Sequence, residues 1–403
     1  MPLGISSERC DTRCNRAAAY QPLRCTIDSR YSIVCEQCHV MMRFPVMKRI
    51  LMLLIFSAFS LSAQSQPYRM AVIGLVHGHV WGHLPGILSN HDVVLTGVAE
   101  PNPALREEAK KAGVPPHLIG GDYRKLIDST KPDLVWAFVE NNRHLEIVEY
   151  CAPRKINVIF EKPLADTFEH ALSIRKLAKQ YGIRVMTNYQ MVWWPANYEA
   201  KRIADSGALG QIYRLRGIVG HGGLDPAGVR NGAFFAWLTD PDKNGAGALM
   251  DFGCYNALWS LWYLGRPETV YAHVNHLRPS EFPKVEDNAD LVLGYRNAVG
   301  LFEASWDLPR SYQDLEVMGR KGSIYMKNGS VEQQMGKEPK SAASIAPLPP
   351  DESEPVRFMV SRIRSGRPVE GLAALDINVD VVAIIDAAKT SVREGKPVAM
   401  PAH

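Results

Sequence analysis

The residues best placed to do chemistry in this 403-residue chain are Glu161-Lys162-Pro163. They follow an apolar run ending at Phe160, so a buried strand there would put the lysine at the carboxyl edge of a sheet, where open α/β folds bind ligands. Asn141-x-x-His144 precedes them by about 20 residues, and Asn188 and Gln190 follow the next apolar run. Further on, Gly245-Ala246-Gly247-Ala248-Leu249-Met250-Asp251-Phe252-Gly253-Cys254-Tyr255 adds a carboxylate and a phenol in one Gly-rich stretch. His77, His79 and His83 raise the question of a metal, because imidazole is a common ligand. On a turn and the helix after it their side chains are expected to diverge, with no carboxylate cluster to complete a site, so no metal is expected and polar contacts near a cofactor are the better role.

The elements that must position these groups are those of βαβ units. From Tyr68, short apolar runs alternate with charged helical stretches, which predicts a parallel sheet. Met70 to Leu75, Val93 to Ala99, Leu134 to Val139, Val158 to Phe160 and Val185 to Thr187 read as strands, with helices over Pro103 to Gly113 and His144 to Cys151. Asp166-x-x-Glu169 resembles a capping box opening a helix that stops at Gly182. The turn after the first strand, Gly74-Leu75-Val76-His77-Gly78-His79, stands where a dinucleotide fold has G-x-G-x-x-G but keeps only its first glycine in register. Val76 stands where the second glycine lets backbone approach pyrophosphate, His79 where the third allows close packing, and Gly78 offers a compensating approach. Glu100 ends the second strand about 20 residues past the turn, where an acid hydrogen-bonds the adenosine ribose; a carboxylate there repels a 2'-phosphate, so NAD is expected over NADP.

After about residue 188 the pattern turns to period-2 alternation in Ile212 to Val219, Thr269 to Val274, Ala289 to Tyr295, Ala298 to Trp306 and Gln313 to Met318, a largely antiparallel sheet able to leave one face free. Residues 331 to 355 read as an irregular connection, and Asp376 to Glu394 as a last helix ended by Gly395. The expected architecture is α/β: a Rossmann domain over 67–188, a substrate and oligomerisation domain over 189–375 with an open-faced sheet, and a terminal helix and tail over 376–403. His221, Asp225 and Arg230, in a Gly-rich loop between strands, are candidate substrate contacts, and Trp193 or Trp194 could stack on a substrate face.

Composition excludes more than it asserts. Residues 1–66 hold eight Lys/Arg against four Asp/Glu, leaving 38 of each in the remainder, so the net charge of +4 belongs to the leader. That neutrality removes the electrostatic argument for a nucleic-acid partner. Five of the seven cysteines also lie in the leader, so no disulfide framework holds the body; Cys35-x-x-Cys38-His39 is at most half a zinc site. Met47-Lys48-Arg49 and the apolar run Ile50 to Phe56, ending in small residues at Ala63 or Ser65, read as a secretory signal peptide. Residues 1–46 then look like translation from an upstream start. The run is short against the roughly 20 residues of a bilayer span, so no stable span is expected, and the protein is expected to be periplasmic or secreted, or cytoplasmic if that segment is misread.

Taken with Gly207-Ala208-Leu209-Gly210-Gln211-Ile212, Val285-Glu286-Asp287-Asn288, Ser305-Trp306, Gly319-Arg320-Lys321-Gly322-Ser323 and Ser391-Val392-Arg393-Glu394-Gly395, these motifs make the chain resemble the Gfo/Idh/MocA oxidoreductases from about Arg69 to Pro401. The resemblance implies a Rossmann domain followed by an open-faced domain, hydride transfer between NAD and a sugar or polyol, and a homo-oligomer through the second sheet. It places the family's Glu-Lys-Pro lysine on Lys162 and the Asp of its Asp-x-Gly-x-His element on Asp251. Tyr255 stands in place of the usual histidine, as in the branch of glucose-fructose oxidoreductase and the dimeric dihydrodiol dehydrogenases. Glu140 replaces the proline usual before Asn141. Gly74, Val76, His77, Gly78, His79, Glu100, Asn141, His144, Glu161, Lys162, Asn188 and Gln190 form the expected cofactor set, and Lys162, Trp193, His221, Asp251 and Tyr255 the substrate set. Chemically, removing hydride from an alcohol carbon needs a group to take the hydroxyl proton, and an ammonium near Tyr255 is expected to lower its phenol toward the working range. Export without a twin-arginine signal, since Lys48-Arg49 is not one, sits poorly with a soluble cofactor recycled outside the cytoplasm. Two alternatives therefore stand: an NAD-dependent glycosidase using transient oxidation and elimination, in which the cofactor ends unchanged, and a carbohydrate-binding relative without activity.

Overall fold

The computed structural model describes residues 66–402 and, of the leader, three short strands, Cys25–Ile27, Ile33–Cys35 and Met41–Met42, paired antiparallel in that order. The signal peptide over 47–65 and the Cys35-x-x-Cys38-His39 cluster as a group lie outside the described residues. Gln66–His403 forms one compact unit.

Six parallel strands open this unit: β1 (Tyr68–Ile73), β2 (Val93–Ala99), β3 (Ile119–Gly120), β4 (Leu134–Ala137), β5 (Asn157–Glu161) and β6 (Val185–Asn188). Their spatial order is 3-2-1-4-5-6, that of a doubly wound dinucleotide-binding sheet. The central strands are apolar throughout because both faces are covered, and alternate residues feed two cores. Met70, Val72, Trp136 and Ile159 point into one; Ala71, Ile73, Val135 and Phe160 point into the other.

Helix ends follow local chemistry. Asn102 caps α1 (Pro103–Lys111), accepting from the Ala104 amide at 2.9 Å, with Pro103 where no amide partner is needed. The helix before Gly182, α2 (Phe168–Tyr181), starts one residue away from the expected capping box: Thr167 is the cap, accepting from the His170 amide at 3.2 Å. Asp166 is drawn instead to the His170 ring, 2.6 Å from Nδ1.

The second sheet has nine strands, with β7 (Ile212–Gly220) at its centre between β10 (Val299–Ser305), its one parallel neighbour, and β11 (Tyr312–Gly319). β8 (Thr269–Asn275) and β9 (Asn288–Gly294) continue the sheet antiparallel on one side. The segment 331–355, expected to be irregular, instead carries two strands on the other side, Ser330–Met335 and Ser341–Ala342, and a short 3-10 turn at Pro350–Glu352. The predicted Gly-rich loop between strands also holds a helix, Gly228–Leu238.

One helix ties the two layers. The terminal helix (Leu375–Glu394) sends Val379 and Val382 into the core shared with Phe160 and Ala171, and Val381, Ile384 and Ile385 into the core of the second sheet. Ile385 is fully buried, and its Cδ1 lies 3.2 Å from where a Cβ on Gly253 would stand. Gly253 begins the helix that carries Tyr255, so core packing here fixes the start of a site element. Ile385→Ala is expected to lower the unfolding free energy by about 2–5 kcal/mol, because a buried aliphatic side chain is replaced by a cavity. Chemical denaturation measures it, and a loss under about 0.5 kcal/mol would show that the helix does not anchor this core.

Candidate active site

β5 ends at Glu161, placing Lys162 at the carboxyl edge of the sheet, with the side chain almost fully buried. Its ammonium donates to the Asp251 carboxylate and, at 3.1 Å, to the Asp251 backbone carbonyl. Asp251 closes a short helix (Ala248–Asp251) whose start is fixed by Glu286: one carboxylate oxygen accepts from the Gly247 and Leu249 amides at 2.7 and 3.0 Å, and the Glu286 carbonyl accepts from Ala248 at 3.0 Å. A Cβ at Gly247 would stand 1.9 Å from that carbonyl, so the close approach requires glycine. The second Asp251 oxygen accepts from the buried indole of Trp306 at 2.9 Å. Burial works against both charges, but mutual attraction outweighs it: Lys162 is held above its usual range, and Asp251, helped by the Trp306 hydrogen bond, below its own.

Tyr255 completes the centre, with its ring 5.5 Å from the Lys162 nitrogen and edge-on to Tyr189 at 5.1 Å. The expected lowering of its phenol does not occur. Burial, reinforced by Cys254, Asp251 and Glu161, pushes it well above the ordinary value, and the Lys162 charge is spent on Asp251. Tyr255 is therefore a proton-bearing phenol at neutral pH.

Around the turn the structure redistributes several expected roles. A Cβ on Gly74, at φ +78°, would meet Val139 Cγ1 at 2.6 Å and the Phe138 carbonyl at 2.8 Å, so the first glycine of the turn is a steric requirement. Glu100 does not face outward: its two oxygens accept from the Leu75 and Asn102 amides at 2.6 and 2.7 Å, pinning the turn to the end of β2, and burial raises its carboxyl. The Val76 carbonyl accepts from the Trp237 indole at 3.0 Å, and Phe234 lies over Gly78. The histidines do not diverge as expected. His77 and His79 stand ring to ring at 4.6 Å, and His79 Nδ1 lies 2.8 Å from a Glu161 oxygen. The other Glu161 oxygen accepts from Asn188 at 2.8 Å, and His83 Nε2 stands 3.8 Å from it. Burial works to raise the Glu161 carboxyl, yet the His79 hydrogen bond and the two imidazoles bring it below the ordinary range.

Other candidates are bound up in the scaffold. Asn141 donates to both oxygens of Asn244, at 2.7 Å to the side chain and 3.2 Å to the backbone. His144 stacks on Phe160 at 4.3 Å with Nδ1 3.0 Å from the Leu164 carbonyl, and burial lowers it to about 4. Trp193 donates to Asn188 at 2.7 Å and packs edge-on against Phe358, whereas Gln190 is exposed and Trp194 half-buried. Arg230 is drawn to Glu108 at 2.8 Å and over the Trp81 ring, and Asp225 accepts from the Ala227 amide. His221 alone of that group packs next to the centre, edge-on to Phe252 at 5.0 Å, where the charges of Asp251 and Lys162 reach it and burial lowers it. Sequence reasoning missed Trp306 and Glu286 as positioning groups, although both lie in motifs that it quoted.

Two cavities flank these residues. One of about 280 Å³ is lined by Gly74, Ala99, Pro101, Asp122, Tyr123 and Arg143, beside the turn and the end of β2, where a Rossmann sheet takes the adenosine half of a dinucleotide. With Gly74 it fits that group; the pyrophosphate turn, under Phe234 and Trp237, is the part that departs. The other, about 220 Å³, is lined by His221, Gly223, Leu224, Asp225, Asn231 and Phe234.

The pair gives a pH signature. Asp251 contributes fully above its ordinary value of 3.8, and that contribution is lost as pH falls through its lowered value; Lys162 stays charged to beyond 10.5. Asp251→Asn should therefore cost about 3–5 kcal/mol at pH 7, by leaving the ammonium buried and unpaired, and the gap to wild type should narrow as pH drops below about 4. A gap of constant size from pH 7 to 3 in denaturation curves would mean that the pair is not ionised.

Residues 68–189 match the family described as "Oxidoreductase family, NAD-binding Rossmann fold", and residues 198–325 its "GFO/IDH/MocA C-terminal domain". Among curated proteins, levoglucosan dehydrogenase of Pseudarthrobacter phenanthrenivorans is 29% identical over 252 residues, 56% of this chain and 63% of that one. D-xylose 1-dehydrogenase (NADP(+)) 2 of Haloferax volcanii is 26% identical over 215 residues, 52% of this chain and 62% of that one. The matched stretches thus span less than two thirds of these relatives. Among solved structures, the aldose-aldose oxidoreductase of Caulobacter crescentus complexed with glycerol superposes with a TM-score of 0.71 at 22% identity, covering 83% of this chain and 99% of that one. Levoglucosan dehydrogenase in complex with NADH and levoglucosan gives 0.70 at 22% identity, covering 84% and 100%. With both family domains matched over more than half its length and the fold shared along nearly all of the described body, the chain belongs to the Gfo/Idh/MocA oxidoreductases.

Proposed function

We propose that the protein transfers hydride between a nicotinamide dinucleotide and a CH–OH carbon of a sugar or polyol. The observation that carries this reading is a buried, mutually neutralised Lys162–Asp251 pair next to a proton-bearing phenol, at the carboxyl edge of a 3-2-1-4-5-6 sheet and beside the Gly74 turn. Gly74 and the cavity from Ala99 to Arg143 would hold the adenosine half. When bound, the dinucleotide supplies the hydride acceptor or donor.

The chain's own residues then manage the proton and the pose. Lys162 gives two of its three ammonium protons to Asp251 and has the third to donate to the substrate oxygen, while Asp251 keeps that ammonium in place and accepts from Trp306. Tyr255 carries its proton on the phenol oxygen, so in reduction it delivers that proton to the carbonyl oxygen, and in oxidation the phenol first gives its proton to solvent and the phenolate then takes the proton of the substrate hydroxyl. His221 and the cavity it lines suit a ring of hydroxyls next to the pair.

NAD is favoured over NADP in this reading because Asp122 lines the adenosine cavity, and the nearby Arg143 is engaged by Glu140 and Glu146. The relatives named above support a sugar substrate, since one is a levoglucosan and another a xylose dehydrogenase. The sequence over 47–65 supports export, and the open face of the second sheet supports a homo-oligomer. No helix among the described residues is long and apolar enough to cross a membrane.

Absorbance at about 340 nm, followed while purified protein meets NAD and a panel of free sugars and aryl glycosides, tests the reaction class. Net NADH formation with a free sugar is expected; aglycone release with no net change would replace this reading by glycoside cleavage, and neither signal with no bound nucleotide would overturn it. Tyr255→Phe should lower kcat about 100-fold or more, and Lys162→Ala should abolish turnover. Because the phenol is held above its usual range, kcat/KM for oxidation should keep rising through pH 9, whereas a plateau near pH 7 would show a different base.

A further inference from the structure

Next to the Lys162–Asp251 pair lies a cluster that the proposed hydride transfer leaves unused. His77, His79 and Glu161 each offer one ligand atom, and these atoms all lie within 4.8 Å of one another. Two of the three are almost fully buried: His77 in the turn after β1, and Glu161 at the end of β5. His77 Nε2 has no hydrogen-bond partner, an uncommon state for a buried polar nitrogen, while its Nδ1 accepts from the His79 amide at 3.3 Å. His79 Nδ1 already stands 2.8 Å from Glu161, and His83 adds a third imidazole 3.8 Å from the same carboxylate.

Charge points the same way. Glu161 is an anion among imidazoles, and Lys162 next to it in the chain is neutralised by Asp251. The cluster's donors are two nitrogens and an oxygen.

We propose that His77, His79 and Glu161 form a binding site for a divalent transition-metal ion of the zinc or cobalt class. Two imidazoles and a carboxylate leave a four-coordinate ion one open position, for water or an oxygen of a bound anion. Ligands about 2.1 Å from one tetrahedral ion stand about 3.4 Å apart, so a pair at the 4.8 Å limit closes by up to about 1.4 Å on binding. That movement must come from side-chain rotation at His77 and His79. Glu161 keeps its Asn188 hydrogen bond as support for the carboxylate, the kind of outer partner that metal ligands commonly have.

The inference is independent of the redox reading, because the test uses no nucleotide. Full-length protein is dialysed against chelator and titrated with Zn²⁺ by calorimetry, and separately with Co²⁺ while its visible absorption is recorded. One saturable equivalent is expected, with cobalt bands typical of a four- or five-coordinate site. Glu161→Gln, close to isosteric and so least apt to disturb folding, should weaken binding about 100-fold or more, and His79→Ala should remove the cobalt bands; circular dichroism checks that both variants are folded. Absence of saturable binding would overturn the proposal. So would one equivalent held unchanged in both variants, which would assign the ion elsewhere, as to the leader's Cys35-x-x-Cys38-His39.

Discussion

The buried ion pair between Lys162 and Asp251 is the constraint around which this molecule is arranged. Neither charge is tolerable alone in the interior, and each is held by a different part of the fold: Lys162 by the edge of the parallel sheet, Asp251 by a short helix of the second half. The pair therefore works as a joint between the two layers as well as a reacting centre. Glu286 fixes the start of the Asp251 helix, Trp306 takes the remaining carboxylate oxygen, and the terminal helix presses Ile385 against Gly253 just after it.

This arrangement changes how the phenol of Tyr255 must be understood. A free ammonium 5.5 Å from the ring would favour the phenolate, but an ammonium already paired contributes little net field. Burial then decides, and the proton stays on the oxygen. The same logic governs the turn. Glu100, by its position a ribose acid, spends both oxygens on amides of its own chain, and Trp237 and Phe234 cover the segment where a second glycine would admit phosphate. The cofactor half that this structure accommodates most openly is adenosine, beside Gly74.

Much of this was legible in the sequence, and for identifiable reasons. Strands buried on both faces read as uninterrupted apolar runs, so β2 and β4 to β6 could be placed within a residue or two, and Lys162 at a strand end followed at once. Capping was misplaced by one residue because Asp166 and Thr167 are both competent caps, and a tertiary bond to His170 decided between them. The helix Gly228–Leu238 was hidden because it contains Gly228 and Gly232 and lacks a side-chain cap; it is held by packing, through Trp237 on Val76 and Phe234 on Gly78. Convergence of His77, His79 and Glu161 was not readable, since it depends on how sharply the turn folds back toward β5. Nor could the pattern of residues tell whether an acid at the end of β2 faces a ligand or its own backbone.

The most direct test of the central claim is the path of a single hydrogen. A sugar that the protein turns over, deuterated at the carbon to be oxidised, is incubated with NAD, and the nicotinamide product is analysed by mass spectrometry. If Lys162, Asp251 and Tyr255 surround a hydride-transfer centre, the deuterium appears on the nicotinamide ring with wild-type protein and not with the Lys162→Ala variant. Deuterium retained in the sugar or lost to water with wild type, or transferred equally well by the variant, would contradict the account.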